Sequence, residues 1–104
     1  MNIPEAKFEF HHRTPVQTRF NDVDMFGHLN NSVYMQFADL AKMHYFRQFM
    51  GGEFDPRRLG VVVANINCDF YAPAYIDDRL EVLTAVVSIA NSSLVMEQRI
   101  IGER

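Results

Sequence analysis

The sequence contains a single cysteine, Cys68, and no apolar stretch that approaches the length of a membrane helix. One cysteine excludes an intrachain disulfide framework and a zinc site built from several cysteines. A membrane-spanning helix needs about 20 consecutive apolar residues, so no membrane span is predicted. No apolar core of a secretory signal follows the N-terminal residues. These absences favour a reducing compartment, and we expect a cytoplasmic protein.

Basic clusters are scarce as well. The net charge is -3, and Arg57-Arg58 is the only cluster of basic residues. Because proteins that bind nucleic acid usually carry a basic face, no nucleic acid is expected as a partner. The sequence also lacks a phosphate-binding glycine loop, a dinucleotide-binding fingerprint and the G-x-S-x-G motif of serine hydrolases.

The composition is that of a globular protein, with 48% hydrophobic residues, 9 Phe and 4 Tyr. A length of 104 residues predicts one domain that spans 1–104. Apolar residues recur at helical spacing from about residue 30 to residue 50, where Gly51-Gly52 predicts the end of a helix. Three residues could cap its start, namely Asn30, Asn31 and Ser32.

Alternating or continuous apolar residues predict four strands, over 16–20, 61–71, 80–89 and 94–101, the last two paired as a hairpin. The order is therefore strand, long helix and three strands. This order predicts an α+β fold in which one helix packs against an antiparallel sheet.

The densest polar cluster lies between the first strand and the helix, and it comprises Asp22, Asp24, His28, Asn30 and Asn31. One interpretation is structural, since Asp and Asn before a helix are common caps and turn formers. The other is catalytic. Unpaired N–H groups at a helix start would stabilise an oxyanion, and a neighbouring carboxylate would act as base or nucleophile. Together these groups would suffice for ester or thioester hydrolysis.

The cluster lies within a longer motif, T-R-F-N-D-V-D-M-F-G-H-L-N-N-S-V-Y over residues 18–34. This motif resembles the signature of hotdog-fold thioesterases, and more narrowly of the 4-hydroxybenzoyl-CoA thioesterase-like group. Members show an aromatic residue, then D-x-D, then G-H-x-N-N-x-x-Y leading into a long central helix. Residues 67–80 also resemble the second strand of the family and the turn into its third strand.

The resemblance implies an acyl-CoA thioesterase in which an antiparallel sheet wraps one long central helix. It assigns the catalytic carboxylate to Asp24, as nucleophile or general base, and makes His28 a candidate to polarise the substrate. The oxyanion contact would be a backbone N–H among Leu29, Asn30 and Asn31. The acyl group would contact Tyr34, Phe37 and Val63, although plain core packing is the alternative for each of these three.

The resemblance further implies an acyl-CoA substrate, a homodimer or homotetramer, and neither a metal nor an organic cofactor. Two other functions stay open. In plant acyl-carrier-protein thioesterases a D-x-N-x-H motif supplies Asp, Asn and His; Asp24 and His28 match it, while Phe26 replaces the Asn. The second alternative is a non-catalytic hotdog module that binds acyl groups or only dimerises.

The family fold has a further strand that lies in the sheet between the second and fourth strands. The sequence ends at Gly102-Glu103-Arg104, where the turn into that strand would begin. We therefore expect uncovered strand edges and a partly uncovered helix face. Three explanations are open: a longer protein, a strand from a partner, or direct closure of the second strand onto the fourth.

Overall fold

The computed structural model describes residues 3–103, and it contains one long helix against an antiparallel sheet. The elements are β1 (His12–Val16), α1 (Asn31–Arg47), α2 (Pro56–Leu59), β2 (Arg79–Ile89) and β3 (Leu94–Glu103), with a 3₁₀ turn at Phe20–Asp22. Strand order in the three-stranded sheet is β1-β2-β3. The predicted α+β class is confirmed.

Helix α1 begins after Asn30, whose side-chain oxygen accepts a hydrogen bond from the Ser32 N–H at 3.1 Å. Asn30 is therefore the cap among the three candidates. After Arg47 the chain passes through turns into Gly51, which has a φ of +74°. Glycine adopts this left-handed conformation without strain. The helix itself ends at Arg47, before the predicted end at about residue 50, so the glycines follow the end of α1 instead of setting it.

The predicted hairpin is confirmed as β2 and β3. Val82 lies opposite Ile100 and Thr84 lies opposite Gln98, and the register shifts once between Val86 and Ser88. The Gln98 amide donates hydrogen bonds to the Ala38 carbonyl (3.0 Å) and to the Thr84 hydroxyl (3.1 Å). This side chain therefore ties the sheet to the helix above it.

The strand predicted over 16–20 is wrong in position, because β1 runs from His12 to Val16. Its register pairs His12 with Thr84 and Val16 with Leu80. Beyond Val16 the chain leaves the sheet, and the Thr18 hydroxyl donates to the Ile76 carbonyl instead (2.7 Å). β1 is an edge of the described sheet, where a proline such as Pro15 is tolerated.

The long strand predicted over 61–71 is also wrong for the described residues. This segment has no regular secondary structure, and residues 61–70 are all exposed. An isolated extended segment lacks ladder hydrogen bonds, so apolar patterning alone does not make it a strand. Within residues 3–103 the outer edge of β3 pairs with no strand, so the expected open edge is observed.

The core lies between α1 and the sheet. Val33, Phe37 and Ala41 form the buried stripe of the helix, and they pack with Leu29, Ala74, Leu80 and Val82. This packing sets the start of α1 against the segment that contains Ala74. In the described part of the chain, no helix has the length and apolarity needed to cross a membrane.

Candidate active site

The turn from Asp24 to His28 is closed by hydrogen bonds of both backbone and side chain. The Asp24 N–H donates to the His28 carbonyl (2.8 Å), and the Gly27 N–H donates to the Asp24 carbonyl (3.0 Å). The Asp24 Oδ1 accepts from the N–H groups of Phe26 (2.9 Å) and His28 (3.2 Å). One carboxylate oxygen is thus fixed by the turn, while Oδ2 has no hydrogen-bond partner within residues 3–103 and Asp24 is exposed.

The turn is attached to the segment around Tyr75. His28 and Tyr75 form an isolated antiparallel bridge, and their rings meet edge to face with centroids 5.1 Å apart. The adjacent Leu29 N–H donates to the Ala74 carbonyl at 2.7 Å. These contacts fix the half-buried His28 side chain beside the Asp24 turn.

The N–H groups at the start of α1 differ in what they can still bind. Leu29 donates to Ala74, and Asn30 donates to the Asp22 carbonyl at 2.8 Å. The Asn31 N–H has no acceptor in the described part of the chain, as is usual for the first residue of a helix. Of the three N–H groups from Leu29 to Asn31, only that of Asn31 is available to an external oxygen.

Asp22 is buried, with 2% of its surface exposed, although it carries a carboxylate. Its oxygens accept hydrogen bonds from the Arg19 backbone N–H (2.8 Å), Nε (3.3 Å) and Nη2 (3.0 Å). Hydrogen bonding to the Arg19 side chain lowers the pKa of Asp22, so the buried group stays ionised. This pair was not predicted from the sequence, where its only local signal is the three-residue spacing of opposite charges.

The three predicted acyl contacts lie in different surroundings. The Tyr34 hydroxyl accepts from the Ala74 N–H (3.2 Å), its ring lies 5.3 Å from that of Phe70, and burial raises the pKa of its phenol. Phe37 is a core residue with 7% exposure, whereas Val63 is 60% exposed. The fold therefore brings Tyr34 to the same segment as His28 and Leu29. Phe37 lies in the core cluster with Leu29 and Ala74, whereas Val63 lies in the exposed segment 61–70.

An open cleft of about 390 Å³ lies elsewhere, near the other end of α1. It is lined by Phe8, His12, Tyr45, Phe49 and Thr84, among others, and by none of the predicted site residues. In residues 3–103 no three His, Cys, Asp or Glu side chains are grouped so that they could hold a metal ion.

Comparison with known proteins places this geometry in a family. Residues 18–104 match the profile of the thioesterase-like superfamily. The acyl-CoA thioester hydrolase YbgC of Escherichia coli O6:H1 is 33% identical over 92 residues, which cover 86% of this chain and 69% of that protein.

Solved structures with a similar fold were also found. A thioesterase from Thermus thermophilus, crystallised with coenzyme A and Zn, superimposes with a TM-score of 0.80 at 31% identity, covering 90% of this chain and 74% of that chain. The PA5185 protein of Pseudomonas aeruginosa gives a TM-score of 0.73 at 31% identity, with 89% and 65% covered. The chain therefore belongs to the thioesterase-like superfamily and has the hotdog fold.

Proposed function

We propose that this protein hydrolyses acyl-CoA thioesters, with Asp24 as the catalytic carboxylate and the Asn31 N–H as the oxyanion donor. The observation that carries the proposal is the Asp24 carboxylate, which is anchored through Oδ1, while Oδ2 accepts no hydrogen bond within residues 3–103 and the residue is exposed. Membership of the thioesterase-like superfamily and the acyl-CoA activity named for the relative from E. coli support the choice of substrate.

An anchored carboxylate suits either of two reaction paths. As general base, Asp24 would take a proton from water, and the resulting hydroxide would add to the thioester carbonyl carbon. As nucleophile, its free oxygen would add directly and form a mixed anhydride, which water then cleaves. In both paths the C–S bond breaks, the acyl group leaves as a carboxylic acid, and the CoA sulfur receives a proton.

The helix start would supply the electrostatic part of catalysis. Negative charge develops on the carbonyl oxygen when the carbon becomes tetrahedral, and an N–H donor already in place stabilises it without reorganisation. Asn31 offers that donor, and the positive end of the α1 dipole adds to it. We assign His28 a polarising role toward the same carbonyl, since Tyr75 fixes its ring beside the turn.

Tyr34 is the acyl contact that the geometry supports best. It contacts Phe70 and Ala74, and the neighbouring Tyr75 contacts His28 of the candidate site. We retain a homodimer or homotetramer as the proposed assembly. Several large apolar side chains of the exposed segment would be covered by a second copy, namely Val61, Val62, Val63, Ile66 and Phe70. The cytoplasm is the proposed location. A chain with one cysteine forms no intrachain disulfide that a reducing compartment would break.

The test is turnover of a panel of acyl-CoA thioesters of different chain length and aromaticity, followed by release of the free thiol. The same acyl groups on an acyl-carrier protein form the second panel. Hydrolysis of the CoA panel supports the proposal, whereas a preference for carrier protein would make the protein a carrier-protein thioesterase. Binding of acyl-CoA without turnover by folded protein would identify a non-catalytic module.

A further inference from the structure

We propose that Arg19 and Asp22 form a positioning pair for hydrolysis: they set which N–H at the start of α1 is left for the oxyanion. This inference rests on the proposed function, since it assigns how the site of Asp24 and Asn31 is held in place. Neither residue needs to touch the substrate. Asp22 is almost fully buried, and its carboxylate oxygens are occupied by Arg19.

The Asp22 carboxylate is held rigidly. Three donors of one residue converge on its carboxylate, and two of them belong to the planar guanidinium. Such a two-point contact fixes orientation as well as distance, which a single ammonium group does not do. The backbone of the 3₁₀ turn from Phe20 to Asp22 is therefore fixed relative to Arg19.

Asp22 also contacts the residue that caps the helix. Its backbone carbonyl accepts the Asn30 N–H at 2.8 Å. Because of this bond, the Asn30 N–H cannot donate to a substrate. The Asn31 N–H is then the first backbone donor at the helix start that is available to an external oxygen. If the turn shifted, Asn30 would lose its acceptor, and the donor would no longer be defined by a single N–H.

The Arg19–Asp22 pair is also linked to the Asp24 carboxylate. Asp24 lies two residues after Asp22, and its own N–H and Oδ1 are bound to His28. The two ends of the 22–30 segment, Asp22 and Asn30, are thus joined to each other, with the Asp24 turn between them. A displacement of about 1 Å at reacting groups can cost about 100-fold in rate, so an anchor of this kind has catalytic consequences.

The experiment compares Arg19→Met, Arg19→Lys and Asp22→Asn with the matched control Asp39→Asn. Asp39 also forms an ion pair three residues away, with Lys42, but its side chain is 75% exposed on α1. Arg19→Met keeps the backbone N–H bond to Asp22, and the Arg19 side chain is 68% exposed, so this variant is expected to fold.

For Arg19→Met and Asp22→Asn we expect kcat for acyl-CoA to fall about 10- to 100-fold, with KM changed less than about threefold. Arg19→Lys should retain an intermediate kcat. In the double variant Arg19→Met/Asp22→Asn, kcat should fall no further than in either single variant, because the two residues act as a unit. The amide signals of Asn30 and Asn31 in ¹H–¹⁵N spectra should move in both variants and stay in place in Asp39→Asn.

Folded Arg19→Met with kcat within about twofold of wild type would overturn the inference, whether or not the amide signals move. Losses in the double variant equal to the product of the single losses would also overturn it. Failure of the proposed function is recognised separately, because wild-type protein would then not hydrolyse acyl-CoA, or Asp24→Asn would hydrolyse it at the wild-type rate.

Discussion

The hydroxyl of Tyr34 accepts a 3.2 Å hydrogen bond from the N–H of Ala74, which joins the start of α1 to a segment 40 residues further along the chain. Ala74 is buried, and its carbonyl accepts the Leu29 N–H. Both backbone groups of Ala74 are therefore engaged with the start of the helix. The Asp24–His28 turn is held by this contact together with the His28–Tyr75 bridge.

Replacing Tyr34 with Phe should therefore lower stability. The substitution keeps the ring near Phe70 but leaves the Ala74 N–H without its acceptor. We expect the free energy of unfolding to fall by about 1–3 kcal/mol, the usual cost of an unsatisfied buried donor. Urea denaturation measures it. An unchanged unfolding midpoint with a raised KM would contradict this expectation and make Tyr34 purely a substrate contact.

The family resemblance implied that both Phe37 and Val63 contact the acyl group, but substitutions at the two positions should differ in their effect on stability. Phe37→Ala removes a core side chain and should lower the free energy of unfolding by about 3–5 kcal/mol. Val63→Ala changes a side chain that is exposed within one copy, so it should cost less than Phe37→Ala, at most about 1.5 kcal/mol where the proposed second copy covers it. Denaturation of both variants checks this. Equal effects in the two variants would contradict the described packing.

Stability should depend on pH through His12. Burial, with a smaller contribution from the charge of His44, lowers the pKa of His12, and its Nδ1 has no partner within residues 3–103. The unfolded chain then binds a proton more readily than the folded chain. Stability is therefore full above the ordinary histidine pKa of about 6.5 and declines as pH falls below it.

Denaturation at a series of pH values from about 8 to about 5, the range in which histidine usually changes its charge, measures this decline. His12→Phe preserves a ring beside Tyr45 but removes the titrating group, so the curve should flatten. His11→Phe is the matched control, because the His11 side chain is 83% exposed. A decline that persists unchanged in His12→Phe would assign the effect to other groups.

Local patterns predicted the helix and the hairpin well. Helical spacing and the asparagine cap define α1, and two alternating segments around a short turn define β2 and β3. The position of β1 was not predictable, because alternation continues past Val16 and only pairing with β2 selects His12–Val16. The segment 61–71 shows the same limit, since a strand requires a neighbour that local sequence does not specify.

The candidate site divides in the same way. The Asp24 turn follows from residues close in sequence, and the structure shows it as a closed loop. The selection of the Asn31 N–H depends on Ala74 and Asp22 taking the other donors. Ala74 lies far along the chain from Leu29, so its contact could not be predicted from helix propensity or motif spacing.

Asp24 is proposed to perform the chemistry, and kcat for acyl-CoA hydrolysis by Asp24→Asn measures that role. The amide keeps an oxygen that can accept from Phe26 and His28, so the turn should survive. Asp39→Asn, on the exposed face of α1, controls for loss of one negative charge. We predict a fall in kcat of about 10²- to 10⁴-fold for Asp24→Asn and none for the control. Undiminished hydrolysis by folded Asp24→Asn would remove Asp24 from the mechanism.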